Sequence, residues 1–409
     1  MKFYLYSNPT NTKEYTLRMI RYLFNKHGLA MVDDPQDSDC VMVSICDSDE
    51  ITDIEKAKKH GKPVLAGGMV SEIPILNELS DYVYHGEIYG LIDHLKAGGG
   101  LDDCKHITTK QSKRLNICQE IKWEENPIIK VGRRAAYYYC GKGCPVKCKY
   151  CLIGNGRKYQ AVPEKIYRGA ERTIVKSKGR MMPIAAYNPH AAKTERGITE
   201  VLLKKYIKGN GLGLKNSLIR SGVEFVTEEY SRGFAKAVNV DDVNHAIEIS
   251  KRNNSRMILY FIAGLETQEQ VADYFNQIDM DYETKPVITV VFTYLAPQPL
   301  TPIFDMDIRQ RVKIDAKKIY HIANNRNKRL RFMPLAGIKK STMRALSERA
   351  LNIDQWEFVK SLKKKSVDYG MIIKAAEEKY PHLLGSASIK DCLSRKRGLQ
   401  GVIGDYWDL

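Results

Sequence analysis

A chain of 409 residues leaves room for two or three domains. Charged residues make up 28% and hydrophobic residues 43%, with no Gly/Ser-rich, Pro-rich or acidic tract, which excludes collagen-like, mucin-like and disordered-tail proteins. The net charge is +17, and 23 Lys/Arg against 10 Asp/Glu after residue 308 put +13 of it on the last quarter; a field of that sign attracts phosphate, so nucleic acid (tRNA or DNA) is the expected partner and a solvated helical surface the plain alternative.

The first residues run into polar Ser7-Asn8-Pro9, and no window holds eighteen consecutive apolar residues. A cytoplasmic protein without a signal peptide or membrane partner is therefore expected. Residues 2–6 alternate as a strand, and Thr12 can cap a helix that carries Met19, Ile20, Leu23 and Phe24 on one face and stops at Gly28. The apolar run 40–45, a polar helix from about 53 to 60, and a strand at 64–66 leading into Gly67-Gly68 follow. Strands and helices alternating over short turns predict a Rossmann-like, doubly wound domain over 1–100, closed by Gly98-Gly99-Gly100, with a linker over 101–130.

Residues 135–139 read as a strand that delivers a cysteine-rich loop, and further strands are expected at 182–186, 222–226, 257–262 and 287–292 with helices between most of them. The fold class is α/β, and the alternation suits an open or closed β/α barrel over 131–307. In such folds chemistry collects at the strand C-termini. Residues 308–409 read as a mostly helical, basic module.

Four of the nine cysteines, Cys140, Cys144, Cys148 and Cys151, fall within twelve residues. An odd total without a secretory signal argues for a metal or cluster site in a reducing compartment. Cys144, Cys148 and Cys151 form a CxxxCxxC loop with Tyr150 before the last cysteine. Three thiolates can hold three irons of a 4Fe-4S cube and leave the fourth iron open. Zinc prefers four closed ligands in paired arrangements, and Cys140 is the thiol that would complete such a site.

The loop resembles the signature of the radical S-adenosylmethionine (SAM) superfamily. Ser221-Gly222-Val223-Glu224, with Glu228, Ser231, Arg232 and Lys236, resembles that family's mid-barrel strand and the helix after it. The segment from Tyr260 to Thr267 resembles a later strand, without its usual Pro-Gly pair, and Thr293-Tyr294 through Pro302 resembles the proline-marked end of the sixth strand. The resemblance implies a partial (β/α)6 barrel that holds a 4Fe-4S cluster on Cys144, Cys148 and Cys151, and SAM chelating the open iron. An external flavodoxin- or ferredoxin-type reductant is implied, as is a 5′-deoxyadenosyl radical that takes hydrogen from the substrate. It further implies SAM contacts at Tyr150, Asn188, Gly222, Glu224, Glu228, Arg232 and Ala263.

The first hundred residues resemble the N-terminal domain of methylthiotransferases. Of that domain's three cluster cysteines only Cys46 is kept, Asn8 and Met69 standing in the other two places, so a second, sulfur-donating cluster is not expected. The same layout resembles cobalamin-binding domains, but no DxHxxG motif occurs, and His27, His60 and His85 stand alone; cobalamin would bind without that histidine. The leading expectation is a radical SAM enzyme that modifies a nucleic-acid base, with Lys363, Lys364, Lys365, Arg395, Lys396 and Arg397 as the contacting cations. The alternatives are radical SAM modification of a peptide, protein or small molecule, cobalamin-dependent methylation included, and a non-catalytic iron–sulfur nucleic-acid binder.

Overall fold

The computed structural model describes residues 1–6, 11–112, 115–131, 135–146, 148–156, 158–178, 180–184, 198–200, 202–278, 288–315, 318–319, 330–364 and 367–395. Its first layer is a six-stranded sheet of β1 (Lys2–Tyr6), β2 (Ala30–Val32), β3 (Cys40–Ser44), β4 (Val64–Gly67), β5 (Tyr82–Tyr84) and β6 (Ile107–Thr108), in the order β2-β1-β3-β4-β5-β6. The first five strands run parallel. Helices α1 (Asn11–Lys26) and α2 (Thr52–Lys58) connect strands of this sheet. All five residues of β3 are buried, as a strand covered on both faces requires. Its period of two divides them: Cys40 and Met42 join Phe3, Leu23 and Phe24 in one core, while Val41 and Val43 join Ile51, Ile54 and Ala66 in the other.

The segment read as a linker is part of this layer. β6 pairs antiparallel with β5, and Leu101, Cys104, Ile107 and Cys118 are buried in the same core as Phe24. Cys118 forms a bridge with Gly86, whose φ is +108° and where a Cβ would stand 2.2 Å from the Cys118 carbonyl oxygen. Only glycine tolerates that approach. Isolated apolar residues among polar ones carry no strand or helix period, which is why this edge was not visible in the sequence.

The second layer begins with β7 (Ile129–Val131), β8 (Ala135–Tyr139), β9 (Gly141–Lys142), β10 (Gln160–Ala161) and β11 (Arg180–Ile184). β8 pairs with β11 in parallel and with β7 antiparallel. Then β12 (Ile198–Glu200), β13 (Leu218–Glu224), β14 (Arg256–Ala263), β15 (Ile288–Tyr294) and β16 (Leu330–Ala336) form one wholly parallel sheet in chain order. The chain past 308, read as mostly helical, also supplies β16, which extends the sheet of β12–β15 beyond residue 307. Its Pro334 masks the strand pattern, yet proline is admitted on an edge strand, and the register shifts beside it, between Phe292 and Thr293 of β15.

Helices α3 (Ile338–Arg349), α4 (Ile353–Lys364) and α5 (Tyr369–Lys379) pack around Ile308, Leu346, Leu362, Ile372 and Leu384. They are not held apart from the first layer. Trp356 is fully buried in the core that contains Ile54 and Val43, and its indole nitrogen donates to Glu55 at 2.8 Å. Around it Lys360 pairs with Glu55 at 2.7 Å, Lys363 with Asp49 at 3.1 Å, Lys340 with Asp49 at 3.8 Å and Arg344 with Asp47 at 3.7 Å. Part of the basic charge therefore neutralises the acidic segment 47–55 of the first layer. Among the described residues no helix is long and apolar enough to cross a membrane.

Candidate active site

β8 and the short β9 carry the chain to the cysteine loop, where Cys148 is buried and Cys144 and Cys151 are half-buried. The loop backbone is tied by its neighbours. Asn155 donates its side-chain amide to the Cys148 and Cys151 carbonyls, both at 2.8 Å, the Leu152 amide donates to the Gln298 side chain at 3.0 Å, and the Lys149 amide to the Phe234 carbonyl at 3.3 Å. The Lys149 ammonium donates to the Leu393 carbonyl, so the C-terminal helix 389–394 braces the loop from behind. Asn155 and Gln298 were not expected from the sequence. Asn155 lies one helical turn after Cys151, a local signal that was available; Gln298 reaches in from a distant proline-rich turn and gave none.

Cys140 takes no part in this loop. It is 0% exposed among Trp123, Tyr138 and Tyr167, and burial pushes its thiol up to about 12. A core thiol of that kind is inert.

Beside the loop, β13 ends in a distorted step. Its register shifts between Gly222 and Glu224, and Glu224 has φ +76°, a left-handed conformation that costs a non-glycine residue about 1–3 kcal/mol. The glutamate side chain folds back over Gly222, where a Cβ would lie 1.9 Å from its Oε1 and 3.1 Å from the Lys236 Nζ. Lys236 donates to Glu224 at 3.2 Å, and both side chains are nearly buried. Burial works against the Lys236 charge, but the Glu224 carboxylate, Cys148 and Cys144 together hold its pKa above the ordinary lysine value. Burial pushes the Cys148 thiol up to about 11, opposed by Lys236 and by a hydrogen bond with Tyr150. The expected residues Gly222, Glu224, Cys144 and Cys148 thus share one electrostatic neighbourhood with Lys236, and Cys151 acts on Cys148 within it.

Other expected residues stand differently. Tyr150 packs under the loop, its ring 5.9 Å from that of Phe225 and 5.8 Å from that of Phe234, and burial raises its hydroxyl well above the tyrosine range. Glu228 and Arg232 form an exposed ion pair one turn apart on the helix 228–233. Ala263 is buried at the end of β14, opposite Tyr294. Asn188 lies outside the described residues.

Glu266, two residues past the Gly264 that closes β14, was passed over as an individual site residue. It is 2% exposed, and one of its oxygens accepts from the Val226 amide at 2.7 Å, the Thr227 amide at 2.8 Å and the Thr227 hydroxyl at 3.1 Å. It therefore fixes the turn directly after Glu224. Burial raises its carboxyl to about 7 although those three donors oppose the rise. A carboxyl raised above its unfolded value adds stability that is complete below the ordinary glutamate range and is lost as pH climbs through about 7. Glu266→Gln keeps the acceptor and cannot ionise, so its stability relative to wild type should increase between pH 5 and pH 8 in urea melts. Glu266→Ala, which strands three donors, should cost about 2–4 kcal/mol across that range; a pH-independent gap between wild type and Glu266→Gln would refute the raised carboxyl.

A cavity of about 550 Å³ opens at the C-terminal ends of β1, β3, β4 and β5, where doubly wound sheets bind ligands. Leu5, Ser44 and Gly67 line it from the first layer, and Tyr139, Lys142 and Leu152, which flank the cysteine loop, line it from the second. The four histidines of the first hundred residues are engaged elsewhere: His27 pairs with Glu125 at 2.6 Å, His60 packs on the Tyr4 and Tyr6 rings, His85 bonds Thr108 at 2.7 Å, His94 bonds the Gly100 carbonyl at 2.8 Å, and none is among the described residues that line the cavity. Cys46 and Met69 both line it, whereas Asn8 lies outside the described residues. One thiol and one thioether do not make an iron–sulfur ligand set.

Among the described residues no three His, Cys, Asp or Glu side chains are drawn together as a cation cage. The donor set of the loop nonetheless fits a three-thiolate cluster: three cysteines on one loop, with the carbonyls of Cys148 and Cys151 bound by Asn155, a buried ammonium to offset thiolate charge, and the fourth nearby cysteine sequestered in the core.

The expected nucleic-acid contacts are divided. Lys363 is paired with Asp49, and Arg395 donates to Asp305 at 3.0 Å and to the Pro302 carbonyl at 3.2 Å. Lys364 ends α4, while Lys365, Lys396 and Arg397 lie outside the described residues.

No protein-family model and no curated protein matches the sequence. Among solved structures, the fold is similar to that of the radical S-adenosylmethionine methyltransferase TsrM from Kitasatospora setae. The TsrM structure with tryptophan substrate and a SAM analogue bound gives a TM-score of 0.55 at 12% identity, covering 74% of each chain. The structure with cobalamin and a [4Fe-4S] cluster bound gives 0.54 at 12% identity, covering 74% of this chain and 73% of that one. At this identity the likeness is one of fold.

Proposed function

We propose that this protein is a radical SAM methyltransferase that holds a 4Fe-4S cluster on Cys144, Cys148 and Cys151, SAM beside Gly222 and Glu224, and cobalamin in the cavity. The observation that carries the reading is the position of that cavity, at the strand ends of the first sheet and walled on its far side by residues flanking the cysteine loop. Its predominantly apolar wall suits a bulky macrocycle, and the fold it shares with TsrM supports the same three-part assembly. When bound, the cluster would supply one-electron chemistry toward SAM, fed by a flavodoxin- or ferredoxin-type donor, and cobalamin would supply methyl transfer.

The chain's own residues orient these groups. Lys236 offsets the charge of the thiolates, Glu224 takes the ribose hydroxyls of SAM, and Glu266 fixes the turn that aims Glu224. Glu228, exposed and paired with Arg232, is left to solvent in this reading. The acceptor is a small molecule or a peptide, since Lys363 and Arg395 are engaged within the chain and weaken the case for nucleic acid.

Anaerobically reconstituted protein should bind one equivalent of hydroxocobalamin, seen by absorbance, and should consume SAM in the presence of dithionite. Failure to bind any corrin, with SAM still consumed, would reduce the protein to a radical SAM enzyme without cobalamin. Tight, salt-dependent retention of tRNA or duplex DNA on filters would return nucleic acid to first place as substrate.

A further inference from the structure

Among the described residues that line the cavity, Glu87 and Lys142 are the charged ones. Lys142 lies in β9, two residues before Cys144, and is 3% exposed. Its Nζ stands 3.3 Å from a Glu87 carboxylate oxygen and donates to the Cys118 carbonyl at 3.3 Å. Glu87 directly follows Gly86 on the turn after β5, and its amide donates to the same carbonyl at 3.1 Å.

Stability does not explain this pair. Removing two charges from water costs several kcal/mol per ion, and apolar replacements of like volume are often neutral or better. A largely apolar cavity with a convergent charged pair in its wall is instead the anatomy of a ligand site. The feature also selects a chemical class. A primary carboxamide offers an oxygen that accepts from the ammonium and an NH₂ that donates to the carboxylate. A free carboxylate would face Glu87 unfavourably, and a free amine would face Lys142 unfavourably.

We propose that Glu87 and Lys142 together recognise a primary amide side chain on the rim of the corrin ring. The proposal rests on the cobalamin reading above. Both residues are positioning residues; neither meets the reacting atoms.

The test titrates cluster-reconstituted protein, by absorbance, with hydroxocobalamin, with cobinamide, which keeps the rim amides, and with heptamethyl cobyrinate, in which methyl esters replace them. Wild type should prefer cobinamide to the ester. Lys142→Met and Glu87→Gln should each weaken cobinamide binding about ten- to a hundredfold, the loss expected for one hydrogen bond to a charged group, and should erase the preference over the ester. Lys142→Arg, which restores donors, should recover part of both. Wild-type affinity in the variants, or an unchanged preference for amide over ester, would overturn the proposal while leaving the cobalamin reading intact. No corrin binding by wild type would remove both. Iron content and melting temperature report folding, and should Lys142→Met fail on either, Glu87→Gln and Lys142→Arg decide the question by the same ratio.

Discussion

Replacing Cys144, Cys148 or Cys151 by alanine should abolish both the iron–sulfur absorbance and SAM consumption, whereas Cys140→Ala should retain about four irons per chain, the content a single three-thiolate cluster implies. The two outcomes separate because the two kinds of cysteine differ physically. The loop cysteines act on Lys236 and on one another, and the backbone of the loop that carries them is held by Asn155 and Gln298. Cys140 is a core residue packed between Trp123 and Tyr167, so its loss should lower thermal stability by about 1–2 kcal/mol through the small cavity left behind, and do no more. Iron lost from Cys140→Ala alone would show that this thiol reaches the cluster and would return the zinc-like, four-ligand alternative to consideration. Iron near eight per chain in wild type would show that the Cys46 region binds a second cluster despite Met69.

The elements that were legible in the sequence are those that read as continuous apolar runs. β3 is buried on both faces, β14 buries alternate residues up to Phe261 and every residue from there to Ala263, and the cysteine spacing points to its chemistry without any knowledge of the fold. Three things were not legible, each for a definite reason. β6 and the edge around Cys118 consist of single apolar residues whose partners lie more than twenty positions away. β16 carries a proline and adjoins basic segments, which disguise its period. The charge of the last quarter was legible as a number, but not its target: nothing in the sequence of α4 says that Lys360 and Lys363 face Glu55 and Asp49, because that pairing is created by the fold. The site shows the same division. Gly222 and Glu224 were identifiable by resemblance, while the roles of Lys142 and Glu266 depend on a cavity and a turn that exist only once distant strands meet.

Trp356→Ala should be among the most damaging substitutions in the C-terminal module, costing about 3–5 kcal/mol, the range for deleting a fully buried tryptophan. Trp356 sits among residues of the first layer and donates to Glu55, so its removal empties the joint between the helices and the sheet. The ion pairs around the joint are partly exposed, Lys363 at 26% and Asp49 at 50%, and pairs of that kind contribute about 0–1 kcal/mol each. Lys363→Glu should therefore cost far less than Trp356→Ala, and 1 M salt, which shortens screening to about 3 Å, should weaken the pairs while leaving the joint closed. Urea melts and limited proteolysis measure the difference. The consequence reaches the cavity, because Asp47 and Asp49, the anchors of Arg344 and Lys363, follow directly on Cys46, which lines it. Trp356→Ala should accordingly weaken hydroxocobalamin binding although Trp356 does not itself line the cavity, its core sharing Val43 and Leu152 with the cavity wall, and Lys363→Glu should leave that binding close to wild type. A Trp356→Ala protein that melts within about 1 kcal/mol of wild type would mean that the helices are held by their charges after all, and that a charge reversal at Lys363 tests the packing of the molecule rather than its affinity for nucleic acid.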